Sequence, residues 1–391
     1  MDSGQMRIVH VSPYFNSPEE GNFGGVELYV YELSKALAEN GHEVAIYTSG
    51  SRLTNNIVRG PKTLEKKNNL EIHRFLCCEP PRMPYIFPHL KNPIPSPSFF
   101  SELSKEYDVI HIHGHEYATS FVATLAAKKG KIPTVLSIHN IGAALEEFSA
   151  IHLIRKLLDN TAFASIVNSA KIVITPTKQI SVLRKFNPMK IVQIPLGIDL
   201  KRFDNLNSRS EYVLFIGRLE ETKRPEDFIR AIPLVLKKID ADFVVAGTGI
   251  QFEHLKNLAR NLQIENHVKF IGWVPYRDVP RVVEKASVVV APGGAGYSIM
   301  EAAAAQKPIV SGKLDWNISV IGRESALYVK PGDFKNLSES IISLLSDRHL
   351  SKLISKNARD YVEKHESWDT LLHQFIYAYE DALSASHPKF M

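Results

Sequence analysis

The segment APGGAGYSIMEAAAAQKPIV, residues 291–310, follows the apolar β-branched run Ser287-Val288-Val289-Val290. Glycines stand at 293, 294 and 296, then the helix formers Ile299 to Ala305, then a stop at Lys307-Pro308. Strand, glycine turn and helix in that order predict one βα step of a parallel sheet. Glycines at such a turn permit positive φ and let a ligand come close to the backbone. The first turn of the helix leaves N–H groups unpaired, and the helix dipole adds partial positive charge there. Together these features suit a phosphate. Glu301 lies one turn into the helix, within reach of a sugar hydroxyl. An ordinary βα turn would read the same way from this stretch alone.

The same pattern recurs on both sides of it. Upstream, Tyr212 to Ile216 reads as a strand ending in Gly217-Arg218-Leu219, with Lys223-Arg224-Pro225 before a helix over Glu226 to Leu236. Asp242 to Ala246 is a strand running into Gly247-Thr248-Gly249, followed by a helix over Phe252 to Leu262 and a strand over His267 to Ile271. In the first half, strands are expected at Arg7 to Ser12, Glu43 to Thr48, Asp108 to His113, Pro133 to His139, Lys171 to Pro176 and Ile191 to Pro195. Val26 to Asn40 has apolar residues at helical spacing after Gly24-Gly25, and Ile151 to Ser169 reads as a helix. Pro195-Leu196-Gly197-Ile198-Asp199 marks a hinge. The expectation is two Rossmann-like α/β domains facing each other: residues 1–194, and residues 195–367, with an amphipathic helix in 368–391. Arg82 to Phe100 carries five prolines among aromatics, which predicts an irregular loop packed on its domain.

Composition bounds the function classes. The chain has 391 residues, 44% of them hydrophobic, and a formal charge of +5, too small to indicate nucleic-acid binding. The only cysteines, Cys77 and Cys78, are adjacent, so neither a disulfide framework nor metal spacing is present and a reducing compartment is expected. The stretch MDSGQMRIVHVSPYF turns directly into a strand, and no apolar run approaches the ~18 residues of a membrane span.

The charged residues narrow the chemistry. Arg218 and Lys223 lie in one strand-to-helix loop, where paired cations would stabilise a diphosphate leaving group. His139 falls at a strand's carboxyl end and can donate to a phosphate or sugar, act as acid or base, or bond the backbone structurally. His111, His113 and His115 alternate, so on a strand they share a face and a metal is conceivable, but Glu116 alone is acidic nearby and none is expected. Asp240-Ala241-Asp242 matches the DxD of metal-dependent sugar transferases but precedes its strand, at the wrong sheet edge.

These residues resemble those of the retaining glycosyltransferase family 4, also called glycosyl transferases group 1, across nearly the whole chain. The resemblance rests on Gly24-Gly25 with VELYVYELSKALAENGHEV, on Ile216-Gly217-Arg218-Leu219 with Lys223, and on Pro195 to Asp199. Glu301-Ala302 with Lys307-Pro308-Ile309-Val310, and the final helix Trp368 to Ser384, which in such enzymes crosses back to the first domain and so joins 368–391 to residues 1–194, complete it. It implies the GT-B fold, two facing Rossmann-like domains with a cleft between them, the first binding an acceptor and the second a nucleotide-sugar. By the same resemblance Arg218 and Lys223 bind the diphosphate, Glu301 the ribose, and Gly217 with Gly24 and Gly25 line the donor site. Gly294, Ala295, Gly296 and Tyr297 contact sugar and phosphate through their backbone, and His139 lies beside the sugar. No metal or cofactor is implied. The acceptor would be a glycan or lipid-linked, with peripheral contact at the cytoplasmic membrane face. One departure stands out. The family's E-x7-E pair would put a glutamate eight residues before Glu301, where this chain has Gly293. Either the sugar is held by other groups, or the chain is a weak or inactive nucleotide-sugar-binding subunit. A sugar-nucleotide epimerase of the same fold is a third reading.

Overall fold

The computed structural model describes residues 4–15, 24–49, 63–67, 69–78, 93–105, 107–139, 159–176, 183, 186–204 and 210–385. The chain divides into two compact units, residues 1–195 with 371–391, and residues 196–370.

The first unit carries β1 (Arg7–Ser12), β2 (Glu43–Ser49), β3 (Thr63–Lys67), β4 (Leu70–Phe75), β5 (Cys77–Cys78), β6 (Ile94–Pro95), β7 (Val109–His113), β8 (Thr134–Ser137), β9 (Ile172–Thr175) and β10 (Ile191–Gln193). Eight of them form one sheet in the order β10-β9-β8-β7-β1-β2-β4-β3. Every pairing in it is parallel except β3 with β4, and β5 with β6 makes a separate antiparallel ribbon. Its helices are α1 (Gly25–Glu39), α2 (Pro97–Leu103), α3 (Ala118–Gly130) and α4 (Ala164–Ser169). Strands covered on both faces read as continuous apolar runs, and Ile8, Val9 and Val11 of β1 are all fully buried. Val9, Ile110, Leu136 and Val173 pack with Phe99, Ala123 and Ile166 into one core. The strand order reverses direction between β1 and β7, which makes their carboxyl ends a topological switch point.

The second unit has β11 (Tyr212–Ile216), β12 (Asp242–Ala246), β13 (Val268–Gly272), β14 (Ala286–Ala291), β15 (Ile309–Gly312) and β16 (Leu327–Val329), all parallel in the order β13-β12-β11-β14-β15-β16. Helices α5 (Pro225–Leu236), α6 (Phe252–Asn261), α7 (Val279–Glu284), α8 (Tyr297–Ala304), α9 (Asp315–Ile321), α10 (Phe334–Ser346) and α11 (Arg348–His365) belong to it. Phe215, Phe228 and Phe243 anchor its core with Val288, Val290 and Ile341. Its switch point falls between β11 and β14. The last helix, α12 (Trp368–Ser384), begins in this unit and runs into residues grouped with the first, where Phe375 and Tyr379 are fully buried. No helix of the described residues is long and apolar enough to cross a membrane.

The segment entering the second unit is stitched to the one leaving it. Ile198 pairs with Ser367 as a parallel bridge, Ile198 N–H donates to Glu366 O at 2.8 Å, and Trp368 N–H donates to Ile198 O at 3.2 Å. The Trp368 indole lies on Gly197, where a Cβ would come within 2.1 Å of the ring, so only glycine fits.

Three expectations need correction. Prolines do not keep 82–100 irregular throughout: Pro97 is the first residue of α2, where its missing N–H costs nothing, and Phe99 is buried. Residues 82–92 lie outside the described residues. The helix read over Ile151 to Ser169 is a π-turn over Asp159–Phe163 leading into α4, and 151–158 with Arg155 and Lys156 are outside the described residues. His115 does not share the β7 face with His111 and His113, because β7 ends at His113 and Gly114 turns the chain at φ +84.

Candidate functional site

Two loops meet at the switch point of the second sheet. The first leaves β11 at Gly217, whose φ of +157 suits glycine, and Gly217 N–H donates to Ala246 O at 3.0 Å. A Cβ on Gly247 would sit 1.9 Å from Gly217 O, so the loops after β11 and β12 touch backbone to backbone. A 3-10 turn, Glu221–Lys223, then delivers Lys223. The second loop leaves β14 through Pro292 and Gly293. A Cβ on Gly293 would lie 2.4 Å from Thr222 O and 2.6 Å from Lys223 C, both backbone atoms. Gly294 N–H donates to Thr222 O at 3.0 Å, and Lys223 Nζ donates to Gly294 O at 2.5 Å. The missing carboxylate at 293 is therefore not an empty place: the backbone that carries Lys223 fills it.

Helix α9 holds the second loop from the other side. Asn317, fully buried, accepts from Ala295 N–H at 2.9 Å and donates to Gly293 O at 2.9 Å. Trp316 Nε1–H donates to Ala295 O. The Gly294 and Ala295 amides are thus spent within the fold. Gly296 caps α8, and the N–H groups of Gly296 and Ser298 find no acceptor among the described residues. Those amides, rather than those of Gly294 and Ala295, can meet an anion; Tyr297 opens the helix between them.

The charges are arranged unequally. Burial lowers the Lys223 pKa, the neighbouring Arg218 lowers it further, and Glu220 works against both. Arg218 reaches outward, two-thirds exposed, with Nη1 3.2 Å from Glu220 Oε1. Glu301 is buried on α8 and faces Arg202, whose Nη1 lies 3.9 Å from its Oε1. The Arg202 guanidinium lies 3.4 Å from the centre of the Tyr276 ring and donates through Nη2 to Tyr276 O at 2.7 Å. Arg202, Trp316 and Asn317 were not singled out in the sequence. Arg202 comes three residues after Pro195 to Asp199, a faint signal; the other two sit in an ordinary helix and gave none. Asp242, the second DxD aspartate, begins β12 at the amino edge, away from these loops.

In the first unit, Gly24 N–H is taken by Glu27 Oε2 at 2.6 Å, and Gly25 is the exposed first residue of α1. His139 lies two residues beyond β8, half-buried, with Nε2 3.2 Å from His113 Nδ1. Burial lowers its pKa to about 4, so the ring is neutral at physiological pH. Among the described residues His10, His111 and His113 bring ring nitrogens within 4.8 Å of one another. Both nitrogens of His111 and of His113 are engaged: His111 with Tyr379 and Ser137, His113 with His10 and His139. No carboxylate stands among those partners, so a buried divalent cation would lack an opposing charge.

Comparison with known proteins decides the family. The model for Glycosyltransferase Family 4 matches residues 23–202, and that for Glycosyl transferases group 1 matches residues 198–361. The chain belongs to glycosyltransferase family 4. This transferase is 26% identical to an uncharacterized glycosyltransferase of Methanocaldococcus jannaschii, over 92% of its own chain and 95% of the relative. It is 24% identical to the UDP-Gal:alpha-D-GlcNAc-diphosphoundecaprenol alpha-1,3-galactosyltransferase of Escherichia coli, over 68% and 73%. Among solved structures it resembles Anabaena HepE, crystallised with UDP and glucose, at a TM-score of 0.73 and 17% identity, covering 96% of this chain and all of that one. That likeness shows the fold, which is GT-B.

Proposed function

We propose that this transferase moves a sugar, with retention of its anomeric configuration, from a nucleotide-sugar to a hydroxyl of a glycan or lipid-linked acceptor. The observation that carries the reading is the Lys223 ammonium, half-buried at the junction of the two switch-point loops and turned onto Gly294 O. Beside it are Arg218 and the open amides at the start of α8. A diphosphate placed there would draw Lys223 off the carbonyl, accept the Arg218 fork and meet the Gly296 and Ser298 amides. Negative charge growing on the leaving phosphate would meet these groups already in position, with no metal or cofactor called upon. Glu301, held by Arg202, is the acceptor for ribose hydroxyls, and His139 offers a neutral polar group to the sugar. Retention follows when the leaving phosphate takes the proton of an acceptor hydroxyl that attacks from its own side. UDP stands in the names of both the galactosyltransferase relative and the HepE complex, which makes a uridine nucleotide the first donor to try. An undecaprenyl-linked acceptor in the relative's name supports the lipid-linked reading, and the outward face of α3, with Phe121, Leu125, Lys128 and Lys129 exposed and Lys131 at its C-cap, suits contact with an anionic membrane.

A panel of UDP-, GDP- and ADP-sugars, with and without lipid extract, tests this. One donor should release its nucleoside diphosphate, and Lys223→Ala should cut that release at least a hundredfold. Gly293 favours a second reading, a nucleotide-sugar-binding subunit without turnover. Binding of one nucleotide with no release from any donor or acceptor would establish that reading instead.

A further inference from the structure

A line of buried histidines crosses the first sheet at its switch point. His10 on β1 lies beside His111 in the strand register. Its Nδ1 is 2.9 Å from His113 Nε2 on β7, and His113 Nδ1 is 3.2 Å from His139 Nε2. The His113 and His139 rings are stacked within 14° of parallel. His10, His111 and His113 are wholly inaccessible to solvent. What packs on the line is uncharged: Tyr29 of α1, with its ring centre 4.7 Å from that of His139, Ser137 of β8 and Tyr379 of α12. With no carboxylate among the described residues to balance an imidazolium, each ring carries one proton. Burial agrees, lowering His10 to about 3 and holding His113 well below the usual value.

Three neutral rings joined by two hydrogen bonds have only two proton arrangements. In one, the donors point toward the edge: His10 Nδ1–H to His113, then His113 Nδ1–H to His139 Nε2. That leaves a lone pair on His10 Nε2 and a proton on His139 Nδ1. In the other, every bond is reversed, and the proton left over is His10 Nε2–H. His10 Nε2 is buried and has no hydrogen-bond partner among the described residues. A buried N–H without an acceptor is a rarer and costlier defect than an unused acceptor. The first arrangement wins.

We infer that His113 and His10 are positioning residues that hold His139 as its Nδ1–H tautomer, so that it meets the donor sugar as a fixed hydrogen-bond donor and not as a base. This rests on the reading that His139 faces the sugar. Nothing is transferred: the line is a static proton order, set at one end by the orphaned nitrogen of His10.

The test is long-range 1H–15N spectroscopy of the full chain labelled with 15N-histidine, with His139 assigned by the signal lost in His139→Gln. The wild-type spectrum is decisive by itself: His139 should show a protonated Nδ1 and an unprotonated Nε2 from pH 6 to 8, and the opposite pattern would overturn the inference. His10→Phe removes the ordering donor and should leave His139 as a tautomer mixture. His10→Asn places an amide donor near the Nδ1 position and should restore the single form. An unchanged His139 in His10→Phe would equally overturn it. With the donor found in the panel, His10→Phe should lower kcat about tenfold, leave the donor KM within about twofold, and be rescued by His10→Asn. A locked tautomer in a protein that turns over no donor would keep the positioning and remove the transferase reading, so the two fail separately.

Discussion

At the residue scale, Gly293 and Lys223 have to be considered together. Gly293→Glu restores the family's usual residue in name only, because its Cβ would collide with Thr222 O and Lys223 C. The variant should lose diphosphate release rather than gain it, and its melting temperature should fall by several degrees, as expected for about 2 kcal/mol of overpacking. Lys223 also fixes a pH dependence. Its pKa is lowered from 10.5 by burial, so the folded protein gives up this proton at lower pH than the unfolded chain does. Between the two values the unfolded chain binds more protons, and stability due to this group rises with pH through that window. Ligand binding runs the opposite way. Diphosphate affinity should fall as pH rises through the lowered Lys223 pKa, and Lys223→Arg should carry that fall to higher pH; titration calorimetry of UDP across the alkaline range would show it.

At the element scale, the turn after β14 is held by helix α9. Asn317→Ala would leave Gly293 O and Ala295 N–H without their side-chain partner in a buried place, at about 2–3 kcal/mol. We expect a clear drop in the thermal midpoint and weaker nucleotide binding, whereas Asn317→Asp should keep the bond to Ala295 N–H and lose those to the carbonyls. This support was illegible in the sequence: an asparagine inside DWNISVI carries no local signal, and the Gly293 and Ala295 groups it holds are more than twenty residues away. Most β-strands of both sheets were legible because burial on two faces writes continuous apolar runs such as VVVA and YVLFI. β3, β4, β15 and β16 were not read: TLEKK on a sheet edge and LEIHRF beside it carry charges that break the apolar run, and IVSG and LYV are too short to mark a strand. In the candidate site, Arg218 and Lys223 stood out by glycine and charge in one loop, while Arg202 did not, since its pairing with Glu301 spans nearly a hundred positions.

At the scale of the whole molecule, Glu366 sits buried beside the stitched crossing, and its Oε2 has no hydrogen-bond partner among the described residues. Burial raises its pKa well above 4.5. The folded protein then binds a proton the unfolded chain has released, so this group's contribution to stability is lost as pH rises above the carboxylate range. Glu366→Gln should flatten that part of the stability curve and raise the melting temperature at pH 8, measured by calorimetry against the wild type. The stitch beside it carries a further meaning. Since Ile198 and Ser367 are hydrogen-bonded neighbours, residues 196–370 are an insertion whose two ends meet, set into a host made of the rest of the chain. A gene fragment for 196–370 alone would have adjoining termini and an uninterrupted six-stranded sheet, and it should fold and bind the nucleotide without its host.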